Sequence, residues 1–388
     1  MIVVASNWAI GDGTLVPAAA ASLGSLAATV HRTVIRAGVG VDGRYRPVEN
    51  LDLVLAGDTF DWLVSAAWLG DAKPWHASNR SFERLATVAR RSIRLGRAVL
   101  GPLLRWARRG LPLPAGMSAV GRRHTLTVPV RVTVLTGDRD AAVERVLGGR
   151  RSFSAGRRWD DGRVSIRHGH DRDPVCRANH DHGTGAADRP PTLGESVAVD
   201  LLARFAMLVA ARTVRAGVHL RRIADAGVVG MPEALGGWLT GLAGGPDAAR
   251  VSDAWQRSVD GWWREARRCV PTCEAEFDVV DALAGWLAAA IRPGAEACPM
   301  AAGLGALVAA PAAGGPGAVE GHLRSAGMNR AIGLAWSGGS ASPLAVCTSE
   351  RGWPRWQIIE LGDEAGPIVA IRPRATTCPA DRHVVDAA

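Results

Sequence analysis

Four short stretches bring acids and histidines together just after a small residue or beside a glycine: "GDTFD" at Gly57 to Asp61, "GDRD" at Gly137 to Asp140, "HGHDRD" at His168 to Asp173, and "GHLR" at Gly321 to Arg324. Carboxylates and imidazoles are the side chains that hold divalent cations and move protons. Asp58 and Asp61 also have a simpler reading, because an acid after a strand often caps the next helix by accepting from its first N–H groups. His168 and His322, taken singly, read as structural histidines with satisfied hydrogen bonds. A denser group, His168, His170, His180 and His182, raises a zinc site, yet "HGHDRDPVCRANHDH" lacks a ligand spacing that suits a helix, and a polar surface loop is preferred. Cys269 and Cys273 flank Pro271, which favours a turn between helices over a redox pair.

These residues need elements to position them. Four short apolar runs read as buried strands: "MIVVAS" at the start, "LDLVLAG" at Leu51 to Gly57, "VRVTVLTG" at Val130 to Gly137 and "GRVSIRHG" at Gly162 to Gly169. Each runs straight into polar residues, and in open α/β sheets ligands gather at the carboxyl ends of strands. Between the second and third runs, Ser78 to Gly110 has helical periodicity with a strongly basic face. From Thr192 to about Ile291 the pattern is helical again, with Leu201, Leu202, Phe205 and Leu208 at spacings of three and four. Gly303 to Gly321 is rich in Ala, Gly and Pro and reads as a loop or hinge. "AIGLAW", "PLAVCT" and "RWQIIEL" return to a strand pattern, with Trp353 and Trp356 expected to pack at the end of the core. The expected organisation is a β-rich core in two parts, residues 1–191 (with a helical insertion at about 71–125) and 321–375. A helical insertion at 192–302 and a loop at 303–320 separate them, and a tail follows at 376–388.

A chain of 388 residues can bury one large core or two smaller ones. Its net charge of +9 comes almost wholly from arginine spread along the chain, Lys73 being the sole lysine, so composition bias explains the charge better than a dedicated polyanion site. The six cysteines show no C-x-x-C pairing and the start lacks a basic leader, which favours a cytoplasmic protein. No apolar run is long enough to span a membrane, since "VAVDLLARFAMLVAA" carries Asp200 and Arg204.

The order of the four polar stretches resembles the calcineurin-like metallophosphoesterase superfamily over residues 1 to about 173 and again over 321 to about 361. The nearest flavour is the bacterial branch that includes UDP-2,3-diacylglucosamine hydrolase. The resemblance implies a four-layer αββα sandwich with helical insertions, and a site built from strand ends. Asp58 then stands at the metal-bridging carboxylate, with Asp61 behind it as a structural acid. Asp138 stands at the family's Asn ligand, His168 at the lone His ligand (His170 being the alternative) and His322 at the first His of the last motif. The departures are equally specific: Asn7 stands for an Asp, Ala9 for a His, Arg139 for the general-acid His and Arg324 for the final His.

Carried over in this way, the first metal site loses three of four ligands, at Asn7, Ala9 and Arg324. The second keeps Asp58, Asp138, His168 and His322, a mixed nitrogen and oxygen set suited to one Zn, Fe or Mn. Arg139 cannot donate a proton to a leaving group, because guanidinium keeps its proton near neutral pH. Arg139 and Arg324 are instead expected to contact phosphate, and Arg324 to neutralise Asp58 where a dication is lost. Two readings result: a one-metal phosphoesterase that acts on or binds a phosphoester or other small anion, and an inactive pseudo-phosphoesterase serving as a binding or scaffold protein. The basic insertion, with Arg84, Arg90, Arg91, Arg94, Arg97, Arg105, Arg108 and Arg109 beside Leu85, Val88, Leu95, Leu103, Leu104 and Trp106, admits a peripheral membrane contact, though a solvated arginine face over a core stripe is preferred. No nucleic-acid motif surrounds the tryptophans, so no nucleic acid is expected, and the protein partner is left open.

Overall fold

The computed structural model describes residues 1–5, 8, 10–15, 25–40, 42–118, 124–147, 153–160, 165–168, 170, 189–214, 216, 246–270, 274–289, 318–320, 332–334, 344–346, 355–361 and 368–374. The apolar runs form parallel strands: β1 (Ile2–Ala5), β2 (Leu51–Leu55) and β5 (Val130–Leu135) lie side by side, with Val3 opposite Leu53 and Leu53 opposite Val132. All residues of β1 and β2 are buried, as expected for parallel strands covered on both faces. The one acid inside β2, Asp52, is held by Arg131 directly across on β5 at 2.7 and 3.1 Å, a cross-strand pair that satisfies both carboxylate oxygens.

The full sheet has the order β12-β13-β1-β2-β5-β6, where β6 is Ser154–Gly156, β12 is Arg355–Leu361 and β13 is Ile368–Arg374. β13 inserts parallel to β1, with Ile2 opposite Ile368, so the chain's beginning and its late segment share one sheet. A second sheet, in the order β11-β10-β9-β8-β7, uses Arg158–Asp160 (β7), Ser165–Arg167 (β8), Ala318–Glu320 (β9), Ile332–Leu334 (β10) and Leu344–Val346 (β11). The Ala/Gly/Pro-rich stretch read as a loop through residue 320 therefore becomes a strand at Ala318, paired to both β8 and β10. Its small residues follow no apolar alternation, and β9 exists only through its two neighbours.

Helix α1 (Ser25–Ala37) connects β1 to β2, and α2 (Asn79–Leu95) and α3 (Arg97–Arg109) connect β2 towards β5. Ser78 caps α2 by accepting from the Ser81 N–H at 3.2 Å, and Gly96 separates the two helices. The helical stretch ends at Arg109, where Gly110 turns the chain into an antiparallel hairpin of β3 (Leu111–Pro114) and β4 (Thr125–Val128). Helix α4 (Val143–Leu147) follows β5. The second helical region begins at α5 (Leu193–Ser196) with a Thr192/Glu195 capping box and runs through a fully buried π-helical stretch, Val197–Ala203, into α6 (Arg204–Arg212). Helices α7 (Ala248–Cys269) and α8 (Glu274–Ala289) complete it. Trp255 and Trp262 of α7 are fully buried, their indole N–H groups donating to the Leu287 carbonyl (2.7 Å) and the Ser196 hydroxyl (3.0 Å). Cys269 closes α7 as an exposed free thiol, while Cys273 lies outside the described residues. The sole lysine joins the two helical regions: Lys73 Nζ meets Asp200 Oδ1 at 2.6 Å. Among the described residues, no helix is long and apolar enough to cross a membrane.

Candidate functional site

Two Gly-Asp corners lie side by side because β2 and β5 are parallel neighbours, Leu55 opposite Val134, and both end at the same edge of the sheet. The first corner uses consecutive left-handed residues, Gly57 (φ 85°) and Asp58 (φ 48°). Only glycine fits at 57, since a Cβ there would sit 2.4 Å from the His168 ring. Asp58 in this region is a non-glycine outlier of the kind found at ligand sites, and aspartate tolerates it better than most residues. In the second corner a Cβ on Gly137 would fall 2.1 Å from Asp58 Oδ1. The two glycines therefore let the His168 imidazole approach the backbone at 57 and the Asp58 carboxylate approach it at 137.

His168 arrives from the second sheet, immediately after β8, and is buried. Its Nε2 lies 3.6 Å from Asp58 Oδ2 and its Nδ1 lies 3.4 Å from Asp138 Oδ1. His170 comes round so that its Nδ1 is 3.1 Å from His168 Nδ1. Asp138, His168 and His170 each place one ligand atom within 4.8 Å of the others. A tetrahedral ion with bonds of about 2.0 to 2.1 Å has ligand-to-ligand edges of about 3.3 Å, so these separations suit a shared centre. Asp58 faces the other nitrogen of His168, where a carboxylate fixes the tautomer and orientation of a ligating imidazole.

The acids around this centre are tied into backbone. Asp140 is fully buried and accepts from Gly137 N–H at 2.8 Å and Phe60 N–H at 3.1 Å, so one carboxylate pins both corners. Asp58 Oδ1 accepts from Arg139 N–H at 3.0 Å. Asp61 accepts from Leu63 N–H and Val64 N–H at 3.3 and 3.2 Å, capping the turn after β2. Burial raises the Asp58 carboxyl well above its usual range, and the charges of Asp138 and Asp140 push it further, against the opposing pull of Arg139. Burial also lifts Asp140 to about 7, with backbone N–H groups of Gly137, Phe60 and Asp58 pulling down and Asp138 adding to the rise. The cluster is rich in negative charge that a bound cation would relieve.

Arg139 is the cation already present. Its guanidinium donates to Asp61 at 2.8 Å and stands 3.9 Å from Asp58, with only 14% of the side chain exposed. The cation expected against Asp58 was Arg324, but Arg324, His322, Asn7 and Ala9 lie outside the described residues, as do His180 and His182. The structure brings together Asp58, Asp138 and His168 of the expected set and adds His170. Asp140 went unassigned in the sequence reading, though the second acid of Gly-Asp-Arg-Asp mirrors Asp61 in Gly-Asp-Thr-Phe-Asp and could have marked it.

Fold and site together define an α/β protein with a parallel sheet, flanking helices and a carboxylate and imidazole cluster at strand ends. In comparisons with known proteins, the chain matches no family model, no curated protein and no solved structure.

Proposed function

We propose that this chain has the four-layer sandwich of the calcineurin-like metallophosphoesterases and binds one divalent ion together with a phosphoester. The observation that carries the reading is His168 lying between Asp58 and Asp138, three residues from three separate strand ends. Asp138, His168 and His170 are the residues that would hold Zn, Fe or Mn, with Asp58 orienting His168 from its far nitrogen and His322 the further ligand implied by the resemblance. Such an ion supplies Lewis acidity and a hydroxide at neutral pH. The chain's own residues orient His168 through Asp58, hold the Asp58 carboxyl in place through the Arg139 N–H, and tie both corners together through Asp140.

A second reading, a pseudoenzyme that binds but does not hydrolyse, is favoured by Arg139. It stands where the resemblance expects a proton donor, keeps its proton, and is already committed to Asp61. The two readings separate by leaving group. An aryl phosphate, whose phenolate leaves unprotonated, is hydrolysed if only the general acid is missing, and an alkyl phosphate is not. Neither is hydrolysed by a pseudoenzyme.

The first test is metal content per chain by elemental mass spectrometry after reconstitution with Zn, Fe or Mn and dialysis. About one ion per chain is expected, lost in Asp138→Asn and His168→Ala. Asp58→Asn should weaken retention roughly 10- to 100-fold, as for the outer partner of a metal-bound histidine. No retained metal in the wild type, or full retention in His168→Ala, rejects the site.

A further inference from the structure

A cavity of about 740 Å³ lies beneath α3, floored by Val134 of β5 and Leu147 of α4 and walled by Phe60 and Leu100, all of them buried. Among the described residues, no carboxylate lines it. Its volume falls within the usual range of small-molecule sites, about 300 to 1,000 Å³. Along α3 the lining residues recur at helical spacing from Arg97 to Arg108, so the cavity follows one helix face for roughly 15 Å. At one end stands Arg97, exposed and, among the described residues, with no hydrogen bond or ion pair. Thr59 also lines the cavity, and its buried hydroxyl has no hydrogen-bond partner among the described residues.

We propose that this cavity binds a linear, single-chain anionic amphiphile, with its hydrocarbon chain along α3 and its head group at Arg97. The lining excludes a strongly polar body, and the length excludes a compact one. None of Asp58, Asp138, His168 and His170 lines the cavity, although Thr59 and Phe60 follow Asp58 directly, so binding is measured without metal and does not depend on the metal reading. A bilayer would meet Phe82 and Leu95, which are exposed on α2 and do not line the cavity.

Gly101 provides the decisive substitution. It lies midway along the cavity, and a Cβ there would meet only Arg105 Nη1, at 3.7 Å, so a side chain grows into open space. Replacing a helical glycine also raises helix propensity. The experiment is calorimetric titration of the full chain, in chelator, with alkyl sulfonates of eight, ten and twelve carbons below their micelle concentrations. One site per chain is expected, tightening about fourfold per added methylene until the cavity is full. Gly101→Leu should abolish binding. Arg97→Gln should weaken it about two- to fivefold, the modest effect of an exposed charge, and remove the preference over 1-decanol. If Gly101→Leu fails to fold, Gly101→Ala should move the optimum to a shorter chain. Unchanged affinity in the Gly101 variants, or non-saturating uptake at many sites, overturns the proposal. So does binding to anionic vesicles alone, undisturbed at Gly101.

Discussion

Gly137→Ala tests the geometry of the two corners most directly. The added Cβ would stand 2.1 Å from Asp58 Oδ1 and 2.4 Å from the Asp58 backbone nitrogen, where ordinary contact begins at 3.4 Å. One corner must therefore move by about 1.3 Å, the difference between 3.4 and 2.1 Å. Rotating the Asp58 side chain does not clear the clash, because the backbone nitrogen is also in the way. The φ of Gly137 lies outside the left-handed range, so alanine is conformationally acceptable and the effect isolates sterics. Overpacking of this kind costs about 1 to 3 kcal/mol. Parting the corners also breaks the Arg139 N–H to Asp58 bond, adding about 1 kcal/mol. The expected loss is about 2 to 4 kcal/mol in urea denaturation, with weaker metal retention because His168 loses its fixed partner. A variant within about 0.5 kcal/mol of wild type and with unchanged retention would show that the corners do not meet as described.

Two further outcomes follow from buried charge. Lys73→Met strands Asp200, whose side chain is 6% exposed, and should cost about 3 to 5 kcal/mol by denaturation; adding Asp200→Leu should recover most of it, and an additive double variant would refute the pairing. The metal-free protein should also lose stability as pH rises from about 4 to about 7. Asp140 holds its proton more tightly folded than unfolded, with a carboxyl lifted to about 7, so its contribution is full below the unfolded value near 4 and disappears through 7. The change is on the order of 4 kcal/mol, shared with Asp58, which shifts in the same direction. Urea midpoints in chelator should fall across that window and fall less in Asp140→Asn; a flat or rising wild-type profile would contradict it.

The parallel sheet was legible in β1 and, apart from Asp52, β2, which are buried on both faces and read as apolar runs, and in β5 through the alternation of Val130, Val132 and Val134 with Arg131 and Thr133. β13 and β9 were harder. β13 joins β1 across more than 360 residues of chain, from Ile2 to Ile368, and β9 has a composition that reads as a loop, so pairing partners rather than local pattern decide both. The hairpin of β3 and β4 hid behind two prolines in Leu111–Pro114, which suppress a strand reading.

At the site the same division holds. Sequence alone determined which side chains stand at strand ends and that Arg139 could not serve as a proton donor, since both depend on local order and intrinsic chemistry. Tertiary structure decided the pairings: Arg139 with Asp61 at 2.8 Å, Asp140 joining the Gly137 and Phe60 N–H groups, and His170 turned towards His168 at 3.1 Å. Sequence spacing fixes which residues follow a strand. Which carboxylate a given donor reaches depends on two corners about 80 residues apart being brought together by β2 and β5, and on a third strand, β8, delivering an imidazole from another sheet.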